Sequence, residues 1–454
     1  MNDATFPRIR FDDPATPSGK EKNMSVPDST RDQPQRIDIV DMRNPILTPQ
    51  QKAAMEAAAA KPSPLRADAV LAAARHETGL DDFGPDDFLE RLQQWIDCIR
   101  SDDNLTEMGR ARAFVICRRN AINRLRVEDL IHRHPEVLEI PIERPLIVAG
   151  LPRSGTTHLQ GFLAADPRLR SLPYWEAIRP VPAPDEIAPP GQDDPRHRKA
   201  AAEWDRADAL MPYSKCVHEF SPDHISEDVE LQMLDFTSYY LEWIVRAPAW
   251  RDAYFARDIT PSYRYMKKAM QVLSWLDRKK RRTPSRWLMK CPQHMEQLVP
   301  VTTVFPDSTV ILTHRDPVAS IQSAITGMCY GARINNVRID PEEMAEYWID
   351  RYQRLLRACV RDRDEIDPAR IVDVYFDELM SSPMKVIENI YQKAGLTLPS
   401  DVRSSMQAFL GENTRGKHGQ LVYNLRRDFG LEPEDIRKRF RFYFERFPVR
   451  AEVE

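Results

Sequence analysis

Between Pro145 and Pro167 the chain reads PLIVAGLPRSGTTHLQGFLAADP, and no other stretch restricts the fold as much. Leu146–Ile147–Val148–Ala149 is a short apolar run of the kind buried on both faces of a parallel sheet. Gly150 breaks that run and Gly155 ends a loop. Thr156 to Ala165 then has helical spacing, with Leu159, Phe162 and Leu163 inward. Strand, glycine-bounded loop and helix together aim backbone N–H groups and a helix N-terminus at a phosphate. The spacing from Gly150 to Gly155-Thr156-Thr157 is that of a Walker A loop. Thr156, however, stands where the Walker lysine belongs, and the loop's only cation is Arg153. The pattern points to a nucleotide phosphate site without ordinary ATP or GTP hydrolysis. The plainer alternative is a glycine turn that only packs a helix onto a sheet.

The rest of the composition narrows the class. A chain of 454 residues exceeds one minimal domain and suggests one large domain with additions. Its 42% apolar content supports a substantial core. A net charge of -4 and a pI near 6.3 argue against general nucleic-acid binding, so any basic surface is local. Six cysteines are scattered, with no C-x-x-C and no Cys/His pairing at metal spacing. They read as free thiols in a reducing compartment, and no metal site is expected. No run approaches the ~18–20 apolar residues of a membrane span. The opening MNDATFPRIRFDD lacks a signal-peptide core, so the expected location is the cytoplasm.

Along the chain, residues 1–47 mix charge with proline and are expected to form a disordered arm. Residues 48–140 have helical periodicity. Thr48-Pro49-Gln50-Gln51 opens one helix, Phe88, Leu92, Trp95 and Ile99 share a face of another, and Thr106 can cap a third. That third helix places Phe114, Ile122 and Leu125 inward and Arg118, Arg119, Arg124 and Arg126 outward. Residues 141–454 read as an α/β domain, a three-layer parallel sheet flanked by helices, with a helical insertion over about 177–282. Within the insertion, helices are expected from about Pro195 to Leu210, from about Asp228 to Val245, and around Tyr263 to Leu276. Strands are expected at Trp287–Lys290, Thr309–His314 and Ile371–Tyr375, each followed by helical sequence. Gly150, Lys290 and Arg315 then converge at the carboxyl ends of the strands, where such sheets bind ligands.

GLPRSGTT resembles the 5′-phosphosulfate loop of sulfotransferases that use 3′-phosphoadenosine 5′-phosphosulfate (PAPS). It has the PRSGTT form shared by tyrosylprotein sulfotransferases and a large bacterial family. The resemblance covers about Pro145 to Leu431 and implies a P-loop-like fold. It implies that Arg153, with Ser154, Gly155, Thr156 and Thr157, holds the 5′-phosphate of PAPS. In THRDPVASIQSAIT, Arg315 ends a strand and Ser323 follows eight residues later, as in the family's 3′-phosphate motif. Read alone, this segment is a capped helix with Arg315 in a surface ion pair. NTRGKHG is similar to the family's loop over the 3′-phosphate and would bring Arg415 and Lys417 near the nucleotide. Phe376 in YFDELMSSP occupies the aromatic position near the adenine.

The same resemblance implies sulfuryl transfer to a hydroxyl, or an amine, by positioning and positive electrostatics and without a required metal. In MKCPQH, Lys290 would stabilise charge on the leaving group. Two residues compete for the base: His294, four residues on, and Glu176 in PYWEA. The acidic run Glu227-Asp228 with Glu230 can serve the acceptor site. The acceptor is expected to be a small molecule, a saccharide or a lipid, and a homodimer is compatible with the sequence. The rival readings are a kinase or NTPase with a modified loop and a non-catalytic nucleotide-binding protein.

Overall fold

The computed structural model describes residues 35–188, 192–217, 221–279, 286–412 and 419–453. Its strands are β1 (Arg36–Ile37), β2 (Leu146–Gly150), β3 (Leu169–Arg170), β4 (Arg286–Lys290), β5 (Thr309–His314), β6 (Ile371–Tyr375) and β7 (Gln420–Leu421). Five of them form one sheet in the order β3-β4-β2-β5-β6, and every pairing in it is parallel. All residues of β2 and β5 are buried, as expected for central strands covered on both faces.

Alternation along β2 divides the core into layers. Leu146 and Val148 pack with Leu159, Phe162 and Leu163 of the following helix. Ile147 packs with the N-terminal helices, and Ala149 with the helices that follow β5. Burying each branched aliphatic side chain of this kind contributes about 1.5–3 kcal/mol. The register sets Gly150 beside Thr313, Val148 beside Lys290, and His314 beside Tyr375. The loops after β2, β4, β5 and β6 therefore leave the same edge of the sheet.

The N-terminal helices are α1 (Pro49–Ala60), α2 (Ala67–Thr78), α3 (Phe88–Arg100) and α4 (Glu107–Arg133). Thr48 and Gln51 form a reciprocal capping box at the start of α1. Thr106 accepts from the N–H of Gly109 at 3.1 Å and caps α4. On α3, Phe88, Leu92, Trp95 and Ile99 are buried together.

Three expectations are corrected. Residues 35–47 of the arm are packed, because Ile37, Ile39 and Met42 join the core and β1 pairs with β7; residues 1–34 lie outside the described residues. Arg124 points inward, fully buried. It donates to the carbonyls of Phe83 and Pro85 and meets Asp235 at 3.0 Å, between the rings of Phe88 and Tyr265. The helix expected over Asp228–Val245 is broken into Val229–Gln232, a 3-10 turn at Met233–Asp235, and Tyr240–Ile244. Phe236 adopts φ +52, which ends the turn and fixes Asp235 beside Arg91 and Arg124. The other two helices of the insertion run over Pro195–Leu210 and Thr260–Lys279.

No helix among the described residues is long and apolar enough to cross a membrane. All six cysteines carry free thiols.

Candidate active site

The loop after β2 is held by contacts that leave no room for other residues at its two glycines. A Cβ on Gly150 would meet Thr313 Oγ1 at 1.8 Å, so β5 can approach only a glycine there. Gly155 adopts φ +87, and a Cβ on it would come 3.1 Å from the Phe376 ring. Ser154 Oγ donates to the carbonyl of Leu151 at 2.7 Å and lies 2.9 Å from Thr313 Oγ1. Helix α5 (Thr156–Ala164) starts directly behind, with Thr156 buried and Thr157 exposed. Its first-turn N–H groups have no acceptor within the helix.

Arg153 itself has φ +70, an uncommon conformation for a side-chain-bearing residue that costs roughly 1–2 kcal/mol. That twist sends its guanidinium across to the helix Pro317–Asn335, where Nε donates to Ser323 Oγ at 3.0 Å. Ser323 Oγ also lies 2.9 Å from the Tyr423 hydroxyl. Arg315 leaves the end of β5 and donates through Nη1 to the Arg153 carbonyl at 2.5 Å. Its guanidinium carbon sits 3.9 Å from the Phe376 ring centroid. Arg153, the segment carrying Arg315 and Ser323, and Phe376 come from three distant parts of the chain and are linked by the contacts Arg153–Ser323, Arg315–Arg153 and Arg315–Phe376. Arg415 and Lys417 lie outside the described residues.

Arg315 has a second partner that nothing in the local sequence marks. Glu452 accepts from its Nε at 2.8 Å and its Nη2 at 2.7 Å. Asp316 holds the segment that carries Glu452: it caps the helix through Val318 N–H and also accepts from Glu452 N–H at 2.8 Å.

On the other side of the loop, Lys290 ends β4 with its side chain fully buried. Nζ donates to Thr157 Oγ1 at 3.3 Å and is in direct contact with the Glu227 carboxylate. Glu227 is the carboxylate that meets the Lys290 ammonium, a contact that spacing alone does not single out. The signal was the acidic run ending at Glu230, but only the packing distinguishes its members. Asp228, the next residue, turns inward. It accepts from Lys290 N–H at 2.8 Å and lies 2.7 Å from His294 Nε2. Burial pushes the Asp228 carboxyl up, but the attraction and hydrogen bonding of His294 together with backbone N–H donors, that of Lys290 among them, leave it below the usual carboxylate range.

The two residues expected to compete as base are both engaged elsewhere. His294 is completely buried, with Nε2 against Asp228 and Nδ1 2.9 Å from the Tyr263 hydroxyl. Glu176 is buried against Arg170 at 2.6 Å, and Arg170 also meets Asp277 at 2.9 Å. The reason is the same for both: a charged group in the core persists only when paired, and these pairs use up the side chains.

Glu230, three residues on from Glu227, lines a cleft of about 400 Å³ together with Met108, Val115 and Ile116 of α4, Tyr174 and Tyr240. Arg119 meets Glu230 there at 2.9 Å. Burial pushes the Glu230 carboxyl up against the pull of Arg119, and the nearby Glu227 charge adds to the rise.

The parallel sheet and the glycine-bounded loop at its strand ends define the class: an α/β protein of P-loop-like fold. Residues 145–400, more than half of the chain, match the sulfotransferase family, and the chain belongs to that family. Two solved structures extend the likeness over most of the molecule. Sulfotransferase STF9 from Mycobacterium avium is 27% identical with a TM-score of 0.75, over 86% of this chain and 98% of that one. Sulfotransferase STF1 from Mycobacterium tuberculosis H37Rv is also 27% identical, with a TM-score of 0.71 over 82% and 97%. No curated protein sequence matches the chain.

Proposed function

We propose that this sulfotransferase takes its sulfuryl group from PAPS and transfers it to a hydroxyl of a small-molecule acceptor. The observation that carries the reading is the direct contact between Arg315 and the loop that bears Arg153. Two cations from segments 162 residues apart share one site, as a nucleotide with phosphates on both sides of its ribose requires. Arg153 and the start of α5 bind the 5′-phosphate, while Arg315 and Ser323 bind the 3′-phosphate. Phe376 offers a ring face beside them, and a Cβ at Gly155 would displace that ring, so the glycine belongs to the fit.

The acceptor enters the cleft beside Tyr174 and Tyr240 and presents its hydroxyl to Glu227. Its oxygen forms a bond to sulfur as the bond from sulfur to the bridging phosphate oxygen breaks. The electron pair stays on the leaving 3′,5′-bisphosphate, and the acceptor proton passes to Glu227. Lys290, released from part of its pairing with Glu227 as that carboxylate is protonated, stabilises the bridging oxygen. The charge therefore appears where a cation is already in place. Glu227 replaces His294 and Glu176 in this role because it touches Lys290 and keeps 20% of its side chain exposed, whereas the other two are sealed in the core.

Titration calorimetry with adenosine 3′,5′-bisphosphate and AMP tests the donor assignment. Arg315→Ala is expected to weaken bisphosphate binding by about 10–100-fold, the worth of a charge-assisted phosphate contact, and to leave AMP within about twofold. Equal losses for both ligands would refute the 3′-phosphate role.

A further inference from the structure

The Arg315 guanidinium is already bound to an anion of the protein's own. Glu452 takes two of its N–H groups in side-on, bidentate geometry, at 2.8 and 2.7 Å, which is how a carboxylate imitates a phosphate on arginine. The third direction is taken by the Arg153 carbonyl, and one face is covered by Phe376. The side-on edge of the guanidinium, formed by Nε and Nη2, is therefore closed to a ligand phosphate while Glu452 stays where it is.

The segment is laid down along the strand-end edge by several anchors. Phe447 packs on the His314 ring with centroids 4.1 Å apart. Arg450 meets Asp377, on the short helix that Phe376 begins, at 3.2 Å. Glu452 N–H donates to Asp316, and the Val453 carbonyl accepts from Arg437 at 2.6 Å. These backbone anchors do not depend on the Glu452 carboxylate, whose side chain keeps 29% of its surface exposed. The carboxylate can therefore turn away into water while the segment stays docked.

We infer that Glu452 is a built-in competitor for the donor's 3′-phosphate, a displaceable anion that sets how tightly the bisphosphate end is held and helps expel it after transfer. This rests on the PAPS reading given above. Binding becomes an exchange at Arg315: the phosphate dianion takes the guanidinium edge, and Glu452 is released to solvent. A nucleotide without a 3′-phosphate leaves the Arg315–Glu452 pair intact and is neither helped nor hindered by it. Release of the product reverses the exchange, with the carboxylate returning as the bisphosphate leaves, so the cation is never left unpaired in a half-buried position. An alternative role, in which Glu452 simply orients Arg315 for the phosphate, makes the opposite prediction.

The test compares the full-length protein with Glu452→Gln and Glu452→Ala by calorimetric titration of adenosine 3′,5′-bisphosphate and of AMP at fixed salt. Competition predicts bisphosphate binding about tenfold tighter in both variants and AMP unchanged within about twofold. Weaker bisphosphate binding in both variants would overturn the inference in favour of an orienting role, and unchanged binding would overturn it outright. Equal tightening of AMP would overturn it as well, since the effect would not depend on the 3′-phosphate. If the wild-type protein binds bisphosphate no better than AMP, and Arg315→Ala changes neither, the donor reading itself fails. That result is distinct from failure of the competitor role alone.

Discussion

Glu227 and Asp228 are adjacent, yet the fold gives them opposite tasks. Asp228 is spent holding His294 and the Lys290 backbone, whereas Glu227 meets the Lys290 ammonium beside Thr157. Glu227→Gln keeps the side chain's size and its contact with Lys290 but cannot accept a proton. Its kcat in a labelled-PAPS transfer assay is expected to fall by about 10²–10⁴-fold, with bisphosphate affinity little changed. Retention of wild-type kcat would return the base to another residue. The same scale shows why the phosphate loop was legible. Gly150, Gly155 and Thr156 shape the loop through their own backbone and place Arg153 within it, so their spacing carries the information. Glu227 was visible only as one acid among several, because its distinction is a contact with a residue 63 positions away.

At the scale of elements, the regular strands and amphipathic helices stand where their periodicity placed them, and the departures occur where a polar side chain is buried. Asp235 ends the 3-10 turn that interrupts an apolar helical run. It gathers Arg91, Arg124 and Ser262 from α3, α4 and the helix Thr260–Lys279. This cluster ties the insertion to the N-terminal helices. Asp235→Asn leaves the buried Arg124 guanidinium without a counter-charge, and Arg91 with only the exposed Asp87, and is expected to destabilise the protein by about 3–5 kcal/mol. Denaturant unfolding checks this, and a change below about 0.5 kcal/mol would mean that the cluster contributes specificity and no stability. The outward assignment of Arg124 failed for the same reason. Helical periodicity counts a charged residue as exposed, and only the surrounding elements reveal the carbonyls that satisfy it.

Across the whole molecule, the sheet couples the site to acid stability. Burial pushes the His314 imidazole down, against its hydrogen bond to the Asp373 carboxylate, which raises it. Burial would raise Asp373, but hydrogen bonds to His314 and Arg363 hold its carboxyl at about 2. Both groups bind protons less readily when folded than when unfolded, so both contribute stability above their unfolded pKa values of about 6.5 and 3.9. That stability is lost as pH falls. Asp373→Asn removes the carboxylate part, so its urea midpoint is expected to fall less steeply than wild type between about pH 5 and pH 2.5. Parallel slopes would show that Asp373 carries none of the acid sensitivity. The packed residues Ile37, Ile39 and Met42 belong to this scale too, since their apolar partners lie hundreds of residues away, around β7 and the helices after β5.

The sequence by itself determined the buried parallel strands, the glycine-bounded loop with Arg153, and the placement of Arg315 at a strand end. These are set by short-range periodicity and by the backbone freedom of particular residues. Tertiary structure alone decided which carboxylates face Lys290 and Arg315, and which histidine and glutamate are sealed into ion pairs. The cost of burying a charge depends on the partners that the whole fold brings to it, and those partners are distant in sequence, 137 residues apart for Glu452 and Arg315.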